Sequence, residues 1–111
     1  MNFQSPDDVR AAISAIFPQF EAEWGTDNPS RVDGGYSVHT VYRVFLEFLA
    51  PRAHTEKQLG KVAVLINGAV LAGGDSENAV STCFLEHLHQ VGLVSALKPF
   101  LGKEAKARLH V

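Results

Sequence analysis

Apolar residues recur every three or four positions through most of this chain, and its central stretch shows the pattern most clearly. From Thr55 to Gly73 this spacing places the apolar residues on one face of an α-helix. Gly73 and Gly74 favour a helix stop, because glycine adopts the left-handed backbone that ends many helices. A second run of the same spacing reaches Val91, and helices joined by so short a connection pack antiparallel. The pattern predicts a central antiparallel hairpin over residues 55–91.

The residues at the helix ends of this hairpin predict its caps. Thr55 and Gln58 have the spacing of a capping box, in which each side chain bonds a backbone N–H near the other residue. Asp75 or Ser76 is expected to cap the second helix with a side-chain oxygen. The same turn could hold an anion at the helix N-terminus, but it lacks the lysine of a phosphate-binding loop. Ordinary capping is therefore the better interpretation.

Two features of the first hairpin helix concern its surroundings. Gly60 and Gly68 each weaken a helix by roughly 1 kcal/mol relative to alanine, so we expect close helix packing at both, with a kink as the alternative. Val64, Leu65 and Leu71 broaden the apolar stripe. This breadth predicts that the helix is covered on more than one side.

The residues before the hairpin predict further helices. Ser5-Pro6 is typical of a helix start, and a proline ends that helix near Ile16. A short helical piece then runs through Phe20 and Trp24, and Gly25 stops it. Trp24 is expected to pack in the core, although aromatic residues beside a loop also serve as interface anchors.

Loop and end signals divide the rest of the chain. Thr26–Gly35 is rich in turn-forming residues and is the longest predicted loop, which keeps it among the candidate functional segments. Ser37 is the expected cap of a third helix that ends near Pro51. Leu93–Leu101 predicts a short helix that proline disturbs, and Lys103–Leu109 predicts a last amphipathic turn.

No segment alternates apolar and polar residues as a strand does, so we predict an all-α fold. The chain of 111 residues is predicted to form one compact domain, residues 1–111, of about five helices. Its net charge of −2 argues against a nucleic-acid binder. The chain shows neither a secretory leader nor an apolar run of about 20 residues that could span a membrane. With only one cysteine, these features favour a reduced, cytoplasmic location.

The second half of the hairpin and the C-terminal segment carry a resemblance. Asn78-Ala79-Val80-Ser81-Thr82-Cys83-Phe84-Leu85-Glu86 and Leu101-Gly102-Lys103-Glu104-Ala105 resemble two motifs of a family of small bacterial all-helical proteins. Some members of that family are regarded as immunity proteins of toxin systems. The match covers about the C-terminal two thirds of the chain, from Val38 onward. It implies a helical fold and a toxin domain as partner, and it supplies no catalytic residue. The hairpin also resembles one HEAT-type repeat, without a second copy.

Cys83 is the residue with the most alternatives. Cys83 and His87 lie four residues apart on a predicted helix, a spacing that lets both bind one metal ion. Further ligands would have to come from His39, His54 or Glu47 through the tertiary structure. Cys83 is a weaker candidate nucleophile, because the stripe around it is apolar. Packing of Cys83 as a small hydrophobic residue explains the pattern better, and no metal or cofactor is assigned.

Two carboxylates give a second chemical alternative. Glu47 and Glu86 could act as the acid and base of a hydrolase if their helices face each other. Each also has an ordinary explanation as a solvated residue, and Glu47 has the spacing to pair with Arg43 on the same helix. No catalytic residue is assigned on this basis.

Polar stripes on the predicted helices give the candidate partner-binding residues. His39, Arg43 and Glu47 form one stripe, and Glu86 and His89 belong to another. Charged side chains on rigid helices can recognise the charge pattern of a partner. The sequence therefore favours a non-catalytic, cytosolic protein-binding module, plausibly of the immunity type. A small metal-dependent or carboxylate-based hydrolase and a structural, self-associating helical protein are the alternatives.

Overall fold

Every regular element in the described part of the chain is helical, which confirms the predicted all-α class. The computed structural model describes residues 1–24 and 36–109. The described residues form seven α-helices, against about five expected, and the last two are single turns near the C-terminus. The elements in chain order are α1 (Pro6–Ile16), α2 (Phe20–Trp24), α3 (Val38–Leu49), α4 (Glu56–Ala72), α5 (Gly74–Cys83), a 3₁₀ segment (Leu85–Val91), α6 (Val94–Leu97), a 3₁₀ turn (Lys98–Phe100) and α7 (Lys103–Lys106).

Local signals correctly predict the ends of the first helices. Ser5 is the N-cap of α1 and accepts a hydrogen bond from the backbone N–H of Asp8, with proline in the first turn. The helix ends at Ile16, as expected. Trp24 ends α2 and is fully buried, which confirms its core position. The predicted stop at Gly25 and the predicted loop over Thr26–Gly35 lie outside the described residues.

The start of α3 and the start of α4 differ in how they are capped. Ser37 occupies the N-cap position of α3, but its side chain makes no capping hydrogen bond. Thr55 and Gln58 form both hydrogen bonds of the predicted capping box at the start of α4. The helix α3 ends at Leu49, two residues before Pro51, as the sequence predicts.

The joint of the hairpin is shorter than the sequence suggests. Gly73, with a φ of 69°, is both the last cap of α4 and the first cap of α5. The prediction that Asp75 or Ser76 caps α5 is wrong, because α5 has already begun at Gly74. The Ser76 hydroxyl instead donates to the carbonyl of Ala69 at 2.9 Å.

The first residues of the chain supply the missing cap. The backbone N–H of Ser76 donates to Oε1 of Gln4 at 2.9 Å, and Nε2 of Gln4 donates to the Gly73 carbonyl at 2.9 Å. The side-chain amide of Gln4 therefore bonds both the Gly73 carbonyl between the two helices and a backbone N–H in the first turn of α5. An N-terminal residue thus completes the hairpin.

The surroundings of α4 match the predictions only in part. Gly68 is closely packed, since a Cβ there would overlap the Phe3 ring, but Phe3 precedes α1, so the expected neighbouring helix is not what approaches this glycine. Predicted close packing is wrong at Gly60, where a Cβ would meet nothing within 4 Å. Predicted cover is also wrong for Val64 and Leu71, which are 73% and 71% exposed, because the polypeptide beside α4 leaves this face open. No described helix has the length and apolar character needed to cross a membrane.

The predicted α-helix from the joint to Val91 is wrong in its second half. The α-helix ends at Cys83, and the backbone of Phe84 departs from helical angles before a 3₁₀ segment begins. Residues three apart share one side of a 3₁₀ helix, so Leu85 and Leu88 are both fully buried in this segment. The period of three in Leu85, Leu88 and Val91 is visible in the sequence and is the signal that was missed.

The core is built around α3, which packs against α1, α2 and α5. Phenylalanine rings from these helices, and from the residues that directly follow α1 and α5, form its centre, with Phe45 stacked on Phe84 at 5.5 Å between ring centroids. The radius of gyration is 12.9 Å, close to the roughly 13 Å expected for a compact domain of this length. The other rings of this cluster are Phe17, Phe20 and Phe48.

Candidate functional site

Helix α3 presents a polar stripe on the side away from its buried face. Arg43 and Glu47 are exposed, and His39 at the start of the helix is half-buried. These residues lie four apart, so they share one face of the helix. The opposite face is held in the core by Val38, Val41, Tyr42, Phe45, Phe48 and Leu49.

The 3₁₀ segment presents the second set of predicted residues. Burial of Leu85 and Leu88 turns Glu86 and His89 outward, and both are exposed. The segment ends at Gly92, whose φ of 73° lies in the left-handed region. The tight 3₁₀ backbone therefore keeps these polar residues on the surface of the domain.

A contact between two helices lies next to the first set and precedes the second along the chain. Nδ1 of His39 at the start of α3 lies 3.5 Å from Sγ of Cys83 at the end of α5. The 3₁₀ segment that carries Glu86 and His89 begins two residues after Cys83. The structure thus brings His39 of the α3 stripe to the end of α5, three residues before Glu86 along the chain.

Several predicted pairs are not formed. Cys83 and His87 do not share one α-helix, because the α-helix ends at Cys83, and Nδ1 of His87 lies 3.0 Å from Oε1 of Gln90. His54 is engaged elsewhere, with Nε2 at 2.9 Å from the Leu49 carbonyl. Within residues 1–24 and 36–109, no group of three or more His, Cys, Asp or Glu side chains is arranged to hold a metal ion.

The carboxylates of the hydrolase alternative are both at the surface. Glu47 is exposed and lines a cleft of about 220 Å³ with Glu23, while Glu86 is exposed on the 3₁₀ segment. A pair between Glu47 and Arg43 is not among the ion pairs of the described residues. The structure records no hydrogen bond that places Glu47 beside Glu86 in this part of the chain.

A second polar cluster, which the sequence does not suggest, links α1 to α2. Arg10 donates two hydrogen bonds to the carboxylate of Glu21, at 2.9 and 2.7 Å, and Ser14 donates a third at 2.7 Å. The Arg10 guanidinium also lies 4.7 Å from the centre of the Trp24 ring. Tyr36 packs edge-on against Trp24 at 5.0 Å between centroids. We call these five residues the Arg10 cluster.

The electrostatics of the Arg10 cluster follow from these contacts. The hydrogen bond from Arg10 lowers the pKa of Glu21, and the same hydrogen bond raises the pKa of Arg10. Burial raises the pKa of Tyr36, whose hydroxyl donates to the carboxylate of Asp7. Arg10, Glu21 and Tyr36 also line a cleft of about 380 Å³. Because these groups satisfy one another, the cluster is suited to joining helices rather than to chemistry.

An apolar groove lies between the N-terminal residues, α1 and α4. It has a volume of about 380 Å³, and Phe3, Ile16 and Val64 contribute to its walls. Lys61 is the charged residue at this groove. Together with the exposed Leu71 on α4, the groove leaves an apolar surface that the described residues do not cover.

Comparison of this chain with protein-family models, with curated proteins and with solved structures gives no match. The resemblance to the family of small bacterial helical proteins therefore stays a prediction.

Proposed function

We propose that this chain is a non-catalytic, cytoplasmic binding module whose ligand is another protein. The proposed contact surface comprises two sets of polar residues, one on α3 and one on the 3₁₀ segment. The observation that supports the proposal is the contact between His39 and Cys83, which joins the start of α3 to the end of α5, two residues before the 3₁₀ segment begins. We call this the polar surface, and its members are His39, Arg43, Glu47, Glu86 and His89.

The chemistry of the polar surface suits recognition of a partner with mixed charge. Arg43 is a cation, and Glu47 and Glu86 are anions. Complementary charge on the partner would speed association and select against wrong partners. Buried apolar residues beneath α3 hold these side chains on a fixed backbone, which lowers the entropy lost on binding.

The more specific version of the proposal is an immunity-type protein that binds a toxin domain and blocks it. This version rests on the resemblance of two motifs, the Asn78–Glu86 segment and the Leu101–Ala105 segment. The first motif includes Glu86 of the polar surface. Occlusion of a toxin requires only tight binding, so it needs no catalytic residue in this chain.

Capture of partners by the tagged protein from its native cytosol tests the proposal. We expect one stoichiometric partner with the wild-type chain, and its loss with the charge reversals Arg43→Glu and Glu47→Lys combined. Val64→Lys combined with Leu71→Lys is the matched control, because it alters two exposed residues on α4. Retention of the partner by the first variant, with loss by the second, would place binding on the apolar side of α4 instead.

Self-association is the second candidate, and the exposed apolar residues of α4 favour it. Val64 and Leu71 lie seven residues apart on one face of the helix, next to the apolar groove. Exposed apolar patches of this kind mark interaction sites. Sedimentation at increasing concentration tests this candidate, with dimers expected for the wild-type chain and monomers for the Val64→Lys, Leu71→Lys variant.

A further inference from the structure

The open face of α4 carries basic side chains in its first half and apolar side chains in its second half. Val64 and Leu71 are the most exposed large apolar residues of the described chain, and they lie about two helical turns apart. Lys57 and Lys61 extend the same stripe toward the N-terminus, and both are exposed. Large apolar side chains gathered on one exposed face mark an interaction surface.

Two other segments border this open face and add further apolar side chains. Asn67 and Gly68 lie on either side of the exposed apolar pair in the α-helix. The Phe3 ring covers Gly68 on one side. On the other side, Nδ2 of Asn67 donates to the Phe100 carbonyl at 3.4 Å, and Oδ1 of Asn67 accepts from the Gly102 N–H at 2.8 Å. The N-terminal segment, α4 and the C-terminal segment therefore share one surface.

The exposed apolar residues of the described chain are concentrated on these three segments. Met1 lines the apolar groove together with Val64. Phe100 belongs to the 3₁₀ turn that Asn67 holds on α4. In residues 1–24 and 36–109, the exposed large hydrophobic side chains are those of Met1, Val64, Leu71 and Phe100. Each of them belongs to a segment of this surface.

All the lysines of the chain lie on α4 or on the C-terminal elements that pack against it. They are Lys57, Lys61, Lys98, Lys103 and Lys106, and all five are exposed. The ion pairs of the described residues use arginine, so these ammonium groups face solvent. Only Glu56 and Glu104 oppose them on α4 and residues 98–106, which leaves +3 there in a chain of net charge −2.

We infer that this surface docks on a lipid bilayer that contains anionic phospholipid. The exposed apolar side chains enter the bilayer between the headgroups, as those of interfacial helices do. Lysine stems are apolar, so these side chains can lie along the lipid while their ammonium groups reach the anionic headgroups. We call this the α4 surface, and its members are Phe3, Lys57, Lys61, Val64, Leu71 and Phe100.

The charge of the α4 surface favours a bilayer over a second copy of the chain. Two copies that meet through this face bring lysines of both molecules together, and like charges oppose the apolar contact. An anionic bilayer pairs with the lysines and accepts the apolar side chains, and its fluid surface needs no matching shape. The α4 surface shares no residue with the polar surface, so the inference is independent of the proposed protein partner.

Sedimentation of the full-length protein with large vesicles tests the inference. Vesicles of phosphatidylcholine with about one third phosphatidylserine are compared with vesicles of phosphatidylcholine alone. We expect the wild-type chain to bind the anionic vesicles roughly tenfold more tightly or better at about 0.1 M salt. At about 0.5 M salt most of this difference should disappear, because salt screens the attraction between the lysines and the headgroups.

Two double variants separate the basic from the apolar contribution. Lys57→Gln combined with Lys61→Gln should weaken binding to anionic vesicles roughly tenfold, because two cations near the headgroups are lost. Val64→Gln combined with Leu71→Gln should weaken it by roughly the same factor, because two apolar side chains no longer enter the bilayer. Both pairs are exposed, so we expect the fold to be retained.

Asn78→Asp combined with Gln90→Glu is the matched control for charge. It makes the chain more negative by the same two units, at exposed positions outside the α4 surface. Its affinity should stay within about twofold of wild type, since charges beyond a Debye length from the lipid are screened. Circular dichroism checks each variant, and Val64→Gln alone replaces the apolar pair should that pair lose its helical signal.

Three results would overturn the inference. The first is failure of the wild-type chain to bind anionic vesicles, and the second is equal affinity for both kinds of vesicle. The third is unchanged binding by the lysine variant or by the apolar variant. Sedimentation without vesicles is measured in parallel, and dimers there, together with no vesicle binding, would assign the face to a second copy.

Discussion

At the scale of single residues, Tyr42 shows that a helical core can bury a polar group whose hydrogen bonding is not satisfied. Its side chain is fully buried on α3, and its hydroxyl has no hydrogen-bond partner among the described residues. Ser76 is its polar neighbour, but that hydroxyl donates to the Ala69 carbonyl. Burial raises the pKa of Tyr42 well above its usual value, so the phenol stays neutral. In the unfolded chain this hydroxyl forms hydrogen bonds with water, and folding removes them without a replacement among the described residues.

Removing this hydroxyl should stabilise the protein. We expect Tyr42→Phe to raise the free energy of unfolding by about 1 kcal/mol, because a buried polar group without a partner costs roughly that amount or more. Tyr36→Phe is the matched control and should lower it, since the Tyr36 hydroxyl donates to Asp7. Urea unfolding measures both variants. A less stable Tyr42→Phe would mean that the hydroxyl bonds Ser76 in solution.

Two glycines of the hairpin should respond in opposite directions to the same substitution. Gly60→Ala should raise the free energy of unfolding by roughly 0.5–1 kcal/mol, because its Cβ meets nothing within 4 Å and alanine favours the helix. Gly73→Ala should lower it by about 1 kcal/mol or more, because its φ of 69° strains any residue with a Cβ. Chemical denaturation compares the two, and similar signs would contradict this account of the joint.

At the scale of elements, the hairpin depends on a residue far from it in sequence. Gln4 bonds the Gly73 carbonyl and the Ser76 N–H, and the Phe3 ring covers Gly68 on α4. These contacts join the N-terminal segment to both helices of the hairpin. Residues before α1 therefore act as part of an element that begins at Thr55.

Loss of the Gln4 amide should weaken the hairpin. We expect Gln4→Ala to lower the free energy of unfolding by about 1 kcal/mol, because two partly exposed hydrogen bonds are lost. Gln4→Glu should cost less, since it keeps the acceptor for the Ser76 N–H. Gln19→Ala, at an exposed position, is the control and should change little. Hydrogen exchange should show the loss at the first turn of α5, and an unaltered Ser76 amide would argue against the bridge.

Signals that act over a few residues were readable from the sequence, and contacts between distant residues were not. Ser5 and the Thr55–Gln58 capping box predict helix starts because each of these hydrogen bonds joins residues only three positions apart. The Gln4 bridge and the His39–Cys83 contact join residues 72 and 44 positions apart, which no local pattern records. The sequence predicted the members of the proposed polar surface, while the contact of His39 with the end of α5 appears only in the fold.

At the scale of the whole molecule, ion pairs join residues of different elements rather than residues of one helix. Arg52 of the α3–α4 connection pairs with Glu23 of α2 at 2.8 Å. Near the other end, Arg108 pairs with Glu77 of α5 at 2.6 Å. Arg108 of the basic C-terminal region therefore pairs with the hairpin. Glu21 and Glu23 of α2 pair instead with Arg10 and Arg52.

The Arg10 cluster should make stability depend on pH. The folded state lowers the pKa of Glu21 below its usual 4.5, so the contribution of this carboxylate is complete above that value. It is lost as the pH falls through the folded pKa, which lies below 4.5. Because Glu21 is about half exposed, with 49% of its side chain accessible, we expect Glu21→Gln to cost only about 0.5 kcal/mol near neutrality.

Unfolding of Glu21→Gln and wild type at a series of pH values checks this expectation. The stability difference should be constant above 4.5 and should shrink below it. Arg10→Met should remove the same pH dependence, since it takes away the group that lowers the pKa. A difference that persists unchanged at low pH would assign the effect to packing.

The bridge made by Gln4 also sets an order of events during synthesis on the ribosome. Gln4 leaves the exit tunnel long before its partners, because Gly73 lies 69 residues and Ser76 lies 72 residues further along the chain. The nascent chain therefore holds Gln4 without its native partners while α1 to α4 emerge. The Gln4 side-chain amide can therefore bond the α4–α5 connection only after residues 73–76 have been synthesised. The N-terminal segment reaches its final position after that point of translation.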